Sequence, residues 1–221
     1  MNWGIILVLL GAGLLLGALL LGPYLFPDEN EQALQRLVEV TQAWAGVQDL
    51  QATLTLTKPG EPTLRLEVRY LPGLALRLEI LEPAGLRGEV YALRPVPEGW
   101  LLVHFRPSLS LGLEARFPKE ALPELLGGFG AISLDRIRVS WLAQNIARIT
   151  GLAGAFPTVE IELSENFRLP QRIRAVNPQG QTVEVKVEEV AVNTGLELRE
   201  LLILEPFPSR WIRIPIPASG V

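Results

Sequence analysis

The chain of 221 residues contains no cysteine and a single histidine. Without thiols there is no disulfide, no thiolate nucleophile and no thiolate metal site. One histidine excludes a polyhistidine metal site or a histidine pair within one chain. Charge is also sparse, at 20% of residues, and the first 27 residues carry no Asp, Glu, Lys or Arg at all. The 24 acidic side chains outnumber the 20 basic ones, for a net charge of −4. No basic field is present to gather phosphates, so nucleic acid is not an expected partner. Disorder is excluded too, because 48% of the residues are hydrophobic. Only three lysines (Lys58, Lys119, Lys186) and one methionine occur. Heat-adapted proteins lack thermolabile residues in this way, and composition bias produces the same look.

What is present begins with an unbroken apolar run from Ile5 to Gly22, flanked by Trp3 and Tyr24. As a helix it is long enough for a bilayer core of roughly 30 Å, and its aromatic ends suit the two interfaces. Residues 1–27 are therefore read as a transmembrane anchor or a signal segment. The anchor is preferred, because the start lacks Lys and Arg and no good small-residue cleavage site follows. The expected location is the inner (cytoplasmic) membrane, single-pass, with the body on the periplasmic or extracytoplasmic side. If the segment is cleaved, the body is secreted to the periplasm.

Asp28 and Glu31 form a capping-box pattern, and Leu34, Leu37, Val38, Thr41, Trp44 and Ala45 recur at helical spacing up to Gly46. This predicts an amphipathic helix whose apolar stripe must cover something. The period then changes to two. Thr53–Thr57, Thr63–Tyr70 and Leu74–Leu81 alternate apolar with polar residues, as antiparallel strands with one wet face do. Lys58-Pro59-Gly60-Glu61 and Leu71-Pro72-Gly73-Leu74 suit type II turns between them. A hairpin is expected over Arg87–Leu93 and Trp100–Arg106, and a short helix over Lys119–Leu126. Ser133–Ile149 fits a helical stripe and an alternating pattern alike, and is read as helix. Strands return at Thr158–Leu163, Arg172–Val176, Thr182–Val190 and Leu196–Leu204, with Asn177-Pro178-Gln179-Gly180 as a tight turn. The tail, residues 209–221, is proline-rich and expected to run extended along the surface.

The fold class is thus mainly β with an α cover. We expect a half-open antiparallel β-barrel, that is a curved sheet, with amphipathic helices as lid, plus the N-terminal transmembrane helix. The organisation is a segment 1–27, a β domain 28–208 and the tail. If the cover is loose, a hydrophobic cavity results, lined by Leu66, Leu76, Leu78, Leu102, Phe129 and Trp141, with Leu37, Val38 and Trp44 on the lid helix. The same six residues in a closed core would look identical in sequence.

No catalytic constellation is legible. His104 shares a strand face with Leu102 and Arg106, has no carboxylate paired with it in register, and is read as structural or exposed. Gly127-Gly-Phe-Gly130 lacks the Lys-Ser/Thr of a phosphate loop and reads as a helix stop or hinge. Glu160 and Glu162, with Glu165 beyond them, look like paired carboxylates, yet period two puts the first two on a solvated strand face. Ser108 and Ser110 have no base beside them. Arg65, Arg69, Arg172 and Arg174 are outward charges that protect strand edges. No cofactor and no metal are expected.

Three stretches together resemble the lipoprotein-carrier-like superfamily, which unites a periplasmic lipoprotein chaperone, its outer-membrane receptor and the first domain of a sigma-factor regulator. Helix Glu31–Gly46 followed by Leu50-Gln-Ala-Thr-Leu-Thr-Leu is similar to the family's opening helix and first strand. Tyr70-Leu-Pro-Gly-Leu-Ala-Leu-Arg-Leu-Glu-Ile-Leu-Glu-Pro83 is similar to its second and third strands. Leu169–Gly180, with Asn193 and Leu196–Pro206, resembles its closing hairpin and final strand. The likeness covers most of residues 30–208. Glu98-Gly99 stands where the family has Asp-Gly. The resemblance implies a lipid-facing cavity, with Arg77 as an anchor for the lid or for a lipid headgroup. On this reading the chain is a non-enzymatic, membrane-anchored envelope protein binding a lipid or lipoprotein acyl chain, for carriage or sensing. Two alternatives stand beside it: a regulatory or scaffold module binding an envelope partner protein, and a lipid-bridge component of an envelope lipid transporter.

Overall fold

The computed structural model describes residues 33, 36, 39, 46–72, 74–118, 138–152, 156–164, 169–202, 204 and 207–214. The expected anchor, the lid residues Leu37, Val38 and Trp44, the helix over 119–126 and Phe129 lie outside them. No helix among the described residues is long and apolar enough to cross a membrane.

Among the described residues, twelve strands make one mainly antiparallel sheet, in the order β12-β6-β5-β4-β3-β2-β1-β11-β10-β9-β8-β7. They are β1 (Leu50–Thr57), β2 (Leu64–Leu71), β3 (Ala75–Glu82), β4 (Val90–Val96), β5 (Gly99–Arg106), β6 (Leu111–Phe117), β7 (Arg138–Ala143), β8 (Ile146–Thr150), β9 (Thr158–Leu163), β10 (Pro170–Val176), β11 (Thr182–Val192) and β12 (Arg210–Ile214). One short helix, α1 (Leu198–Leu202), precedes β12. The alternation in the sequence becomes alternation in burial: Leu50, Ala52, Leu54 and Leu56 of β1 are buried, and the residues between them are half-buried. Both expected proline–glycine turns close. The Glu61 N–H donates to the Lys58 carbonyl at 3.1 Å, and the Leu74 N–H to the Leu71 carbonyl at 3.0 Å. Gly60, at φ +78°, supplies the left-handed residue that a type II turn needs.

The chain divides into two compact units. The first comprises Met1–Gly46, Leu56–Glu61 and Pro123–Val187. Its β7 to β10 and the start of β11 form an antiparallel meander. Val139, Ala147, Val159, Ile161, Ile173, Ala175, Val183 and Val185 are buried on one face. The opposite face is a ladder of matched charge. Glu160 meets Arg148 at 2.6 Å and Arg174 at 3.8 Å, and Glu162 meets Arg172 at 3.5 Å. These carboxylates are strand-face ion pairs. Ala33, Arg36 and Glu39 are helical, as the opening pattern predicts.

The helix expected over Ser133–Ile149 is corrected: residues 138–150 form β7 and β8. The two periods share Ile137, Trp141 and Ile149, so the pattern does not separate them. Pairing of β8 along β9 satisfies the backbone groups, and the β-branched residues suit the pleat.

The second unit comprises Val47–Thr55, Pro62–Leu122 and Glu188–Val221, and holds β2 to β6, α1 and β12. Two departures from the sequence reading occur here. The strand expected at Leu196–Leu204 contains α1 instead. Glu197 begins it, and its N–H donates to the Glu200 carboxylate at 2.7 Å, the reach-back half of a capping box. Leu111–Phe117, with no element assigned to it from sequence, is β6. The extended tail becomes β12 over Arg210–Ile214, which runs parallel to β6. Ser110, in the left-handed region at φ 46°, turns its carbonyl to accept from the N–H groups of Ser209 and Arg210, and so starts that pairing.

Candidate functional site

Register sorts the second unit's side chains onto two faces. Leu66 pairs with Ile80, Val68 with Leu78, Tyr70 with Leu76, Leu78 with Tyr91, Leu76 with Leu93, Leu93 with Leu102 and Tyr91 with His104. These share one face. The residues between them, Arg77, Ala92, Arg94, Leu101, Val103, Phe105, Gly112 and Glu114, share the other. The candidate cavity residues Leu66, Leu76 and Leu78 are buried on the first face, with Leu102 half-buried beside them. Trp141 lies in the first unit, on β7. Its indole N–H donates to the Ala33 carbonyl at 3.1 Å, and the Arg36 guanidinium lies 4.3 Å from the ring centroid. Trp141 is thus a docking point for the first helix.

The second face carries a cavity of about 620 Å³. Its floor is Ala92, Arg94, Leu101, Val103 and Glu114; Leu202, Leu204, Phe207 and Trp211 complete the wall. Its size falls in the range of small-molecule sites, about 300–1,000 Å³, and like them it is mostly apolar with a few polar groups. Arg94 and Glu114 supply those. Glu114 is engaged by Arg116 at 3.6 Å and Arg213 at 3.8 Å. The Trp211 ring reaches over the sheet because residue 112 is glycine: a Cβ there would lie 2.7 Å from ring carbons.

Three devices hold this wall in place. Leu201 of α1 is fully buried against Leu71 and Ala75, with Leu196 packed alongside. Arg77, buried on the cavity-bearing face, donates from Nη1 to the Leu201 carbonyl at 3.4 Å and pairs through Nη2 with Glu79 at 2.9 Å. The candidate lid anchor therefore grips α1. Asp49 clamps the turn ahead of α1, accepting from the Thr194 N–H at 2.8 Å, the Thr194 hydroxyl at 2.7 Å, the Gly195 N–H at 2.9 Å and the Leu196 N–H at 3.3 Å. Burial by itself would raise the Asp49 carboxyl, but these donors outweigh it and hold it below the usual carboxylate range.

The first face ends in a buried polar network. Glu89 is buried and accepts from the Tyr91 hydroxyl at 3.1 Å, from His104 Nε2 at 3.1 Å and from Arg106 Nε at 2.9 Å. The Tyr91 and His104 rings stack with centroids 4.2 Å apart. Burial lowers the His104 pKa against the pull of Glu89 and leaves the ring neutral at pH 7. Burial, then the Glu89 charge, pushes the Tyr91 hydroxyl up. This corrects the view of His104 as a histidine without a carboxylate. Both Glu89 oxygens are taken by donors, so the cluster reads as a satisfied structural network. Among the described residues, no group of three or more His, Cys, Asp or Glu is placed to hold a metal ion.

Sequence reasoning missed Glu89, Asp49 and the residues that line this cavity. The hairpin register would have found the first, because Tyr91 opposite His104 brings Glu89 beside Arg106. For the cavity the signal was the run Trp100-Leu-Leu-Val103, apolar on both faces. Asp49 has no local signal, since its partners lie beyond residue 190.

No protein-family model matches the chain, and no curated protein matches its sequence. Among solved structures, an uncharacterized conserved protein from Thermus thermophilus is similar at TM-score 0.57 and 16% identity, over 85% of this chain and 100% of that one. A LolA superfamily protein from Nitrosomonas europaea is similar at TM-score 0.39 and 13% identity, over 79% of this chain and 98% of that one. Lipoprotein LppX from Mycobacterium tuberculosis is similar at 0.43 and 12%, over 77% and 100%. At such identities these are likenesses of fold, and the fold is shared most fully with the Thermus thermophilus protein among these three.

Proposed function

We propose that the chain is a non-enzymatic, membrane-anchored envelope protein that binds a lipid or lipoprotein acyl chain, for carriage or sensing. The apolar cavity of about 620 Å³ beneath α1 and β12 carries this reading. Its wall is a short helix, a connecting segment and one edge strand, the kind of cover that can part for a ligand. Acyl burial yields about 0.8 kcal/mol per methylene, so ten methylenes supply roughly 8 kcal/mol before the costs of association. No reactive group is needed for that work. Arg94 and Glu114 at the floor are suited to the polar end of such a ligand.

Residues 1–27 are the proposed membrane tether, with the body on the extracytoplasmic side. The test is binding of a fluorescent fatty acid to delipidated full-length protein, alongside native mass spectrometry of detergent-free material. Saturable binding that is displaced by unlabelled fatty acid, with Val103→Trp reducing it at unchanged thermal stability, is the expected result. Protein that neither binds the probe nor retains any lipid would refute the proposal.

A further inference from the structure

The cavity's wall does not end at its lining. Leu198, Leu202, Phe207, Trp211, Ile212 and Ile214 are all exposed, Phe207 at 75%. Scattered apolar side chains on a surface are ordinary, but these fall within residues 198–214 and three of them also line the cavity. Every residue of β12 is exposed, on both its faces. Phe207 and Trp211 lean together with ring centroids 6.1 Å apart, and Trp is a ring type enriched where hydrocarbon meets water. The charge is as uneven as the hydropathy. Residues 198–214 carry Arg199, Arg210 and Arg213 against Glu200 and Glu205, and both acidic residues precede Phe207, although the whole chain carries −4. The side chain of Arg213 is 81% exposed.

We infer that this strip is a docking surface for an anionic phospholipid bilayer, with the aromatic and aliphatic side chains entering the interface and Arg210 and Arg213 meeting lipid phosphates. The inference deepens the proposed function and rests on its tether, which keeps the body within reach of a membrane. Docked in this way, the cavity wall at Leu202, Phe207 and Trp211 faces the bilayer. An acyl chain then passes between hydrocarbon and cavity without exposing its methylenes to water.

The absence of native cysteine makes the test clean. Full-length Phe207→Cys and, as a reference at the β10–β11 turn, Gln179→Cys are labelled with an environment-sensitive fluorophore. Each is reconstituted into phosphatidylcholine vesicles with and without phosphatidylglycerol, carrying brominated acyl chains as quenchers. Quenching at Phe207 several-fold stronger than at Gln179 is expected. It should weaken when phosphatidylglycerol is omitted, and equally in an Arg210→Glu/Arg213→Glu background. Arg213→Cys repeats the reading at a second exposed position should Phe207→Cys unfold.

Equal quenching at both sites overturns the inference, as does none at Phe207. Self-quenching between labels that grows with protein concentration, without lipid quenching, gives the strip to a second copy and also overturns it. Protein that does not float with anionic vesicles refutes tether and docking together. Fatty-acid binding by the Gln179→Cys protein, whose cavity wall is unaltered, separates the two ideas. Binding retained with a silent label removes docking alone, and binding lost with a quenched label removes the cavity reading alone.

Discussion

Adding one methyl group at Gly112 probes the wall of the cavity directly. Trp211 stands opposite Gly112 in the β6–β12 register, and a Cβ at 112 would fall 2.7 Å from two ring carbons and 3.0 Å from a third. Carbon atoms settle at about 3.5–4.0 Å, so ring or strand must retreat by about 1 Å. Overpacking of this kind costs about 1–3 kcal/mol. Trp211 is 38% exposed and can swing outward, which places the cost near the middle of that range. Against it works the gain of alanine over glycine within a strand, about 0.5–1 kcal/mol. The net for Gly112→Ala is therefore a loss of about 1 kcal/mol. For a chain of this size that lowers the melting temperature by about 2–4 °C. In a Trp211→Ala background the clash is gone, and the same substitution should raise stability by about 0.5–1 kcal/mol. Calorimetry on the four proteins of the double-mutant cycle reads this sign reversal as a coupling energy. Acyl binding should weaken in Gly112→Ala by roughly fourfold, since displacing the ring uncovers about one methylene of ligand. If Gly112→Ala lowers stability equally with and without Trp211, the close approach of the ring is not what the glycine serves.

Two further predictions concern the buried network on the first face. Glu89→Ala strips the acceptor from Tyr91, His104 and Arg106 at once and should destabilise by about 3 kcal/mol, the low end for a broken buried pair because Arg106 is 40% exposed and can rehydrate; urea denaturation measures it, and a loss under 1 kcal/mol would contradict the network. The lowered His104 pKa means that the unfolded chain takes up its proton first as pH falls below 6.5. Stability should therefore decline from pH 6.5 toward the folded value and level off below it, and His104→Gln should lack that slope in the same denaturant titrations.

Much of the fold is already written in local pattern. Alternation over Leu64–Tyr70 and Leu74–Leu81 dictates which side chains share a face, because a pleated backbone turns successive residues to opposite sides whatever surrounds it. The proline–glycine pairs at residues 59–60 and 178–180 place turns for a similar reason: they restrict φ on the spot. Such signals need no knowledge of the rest of the chain. Ser133–Ile149 shows where they stop, since its apolar residues satisfy both periods and the free edge of β9 settles the outcome in favour of strands. Leu196–Leu204 is similar: strand-like in pattern, it carries a helix held by Asp49 and Arg77.

The candidate site lies on the less legible side of this divide. Residues on both faces of β3 to β5 are apolar, and period two cannot say how much space is left above either face. That depends on what comes to rest upon it. On the cavity-bearing face the wall arrives from residues 202–211, about a hundred positions after the strands of the floor. Periodicity is a property of neighbours along the backbone, whereas an unfilled space belongs to pieces of chain that meet only once the sheet has formed.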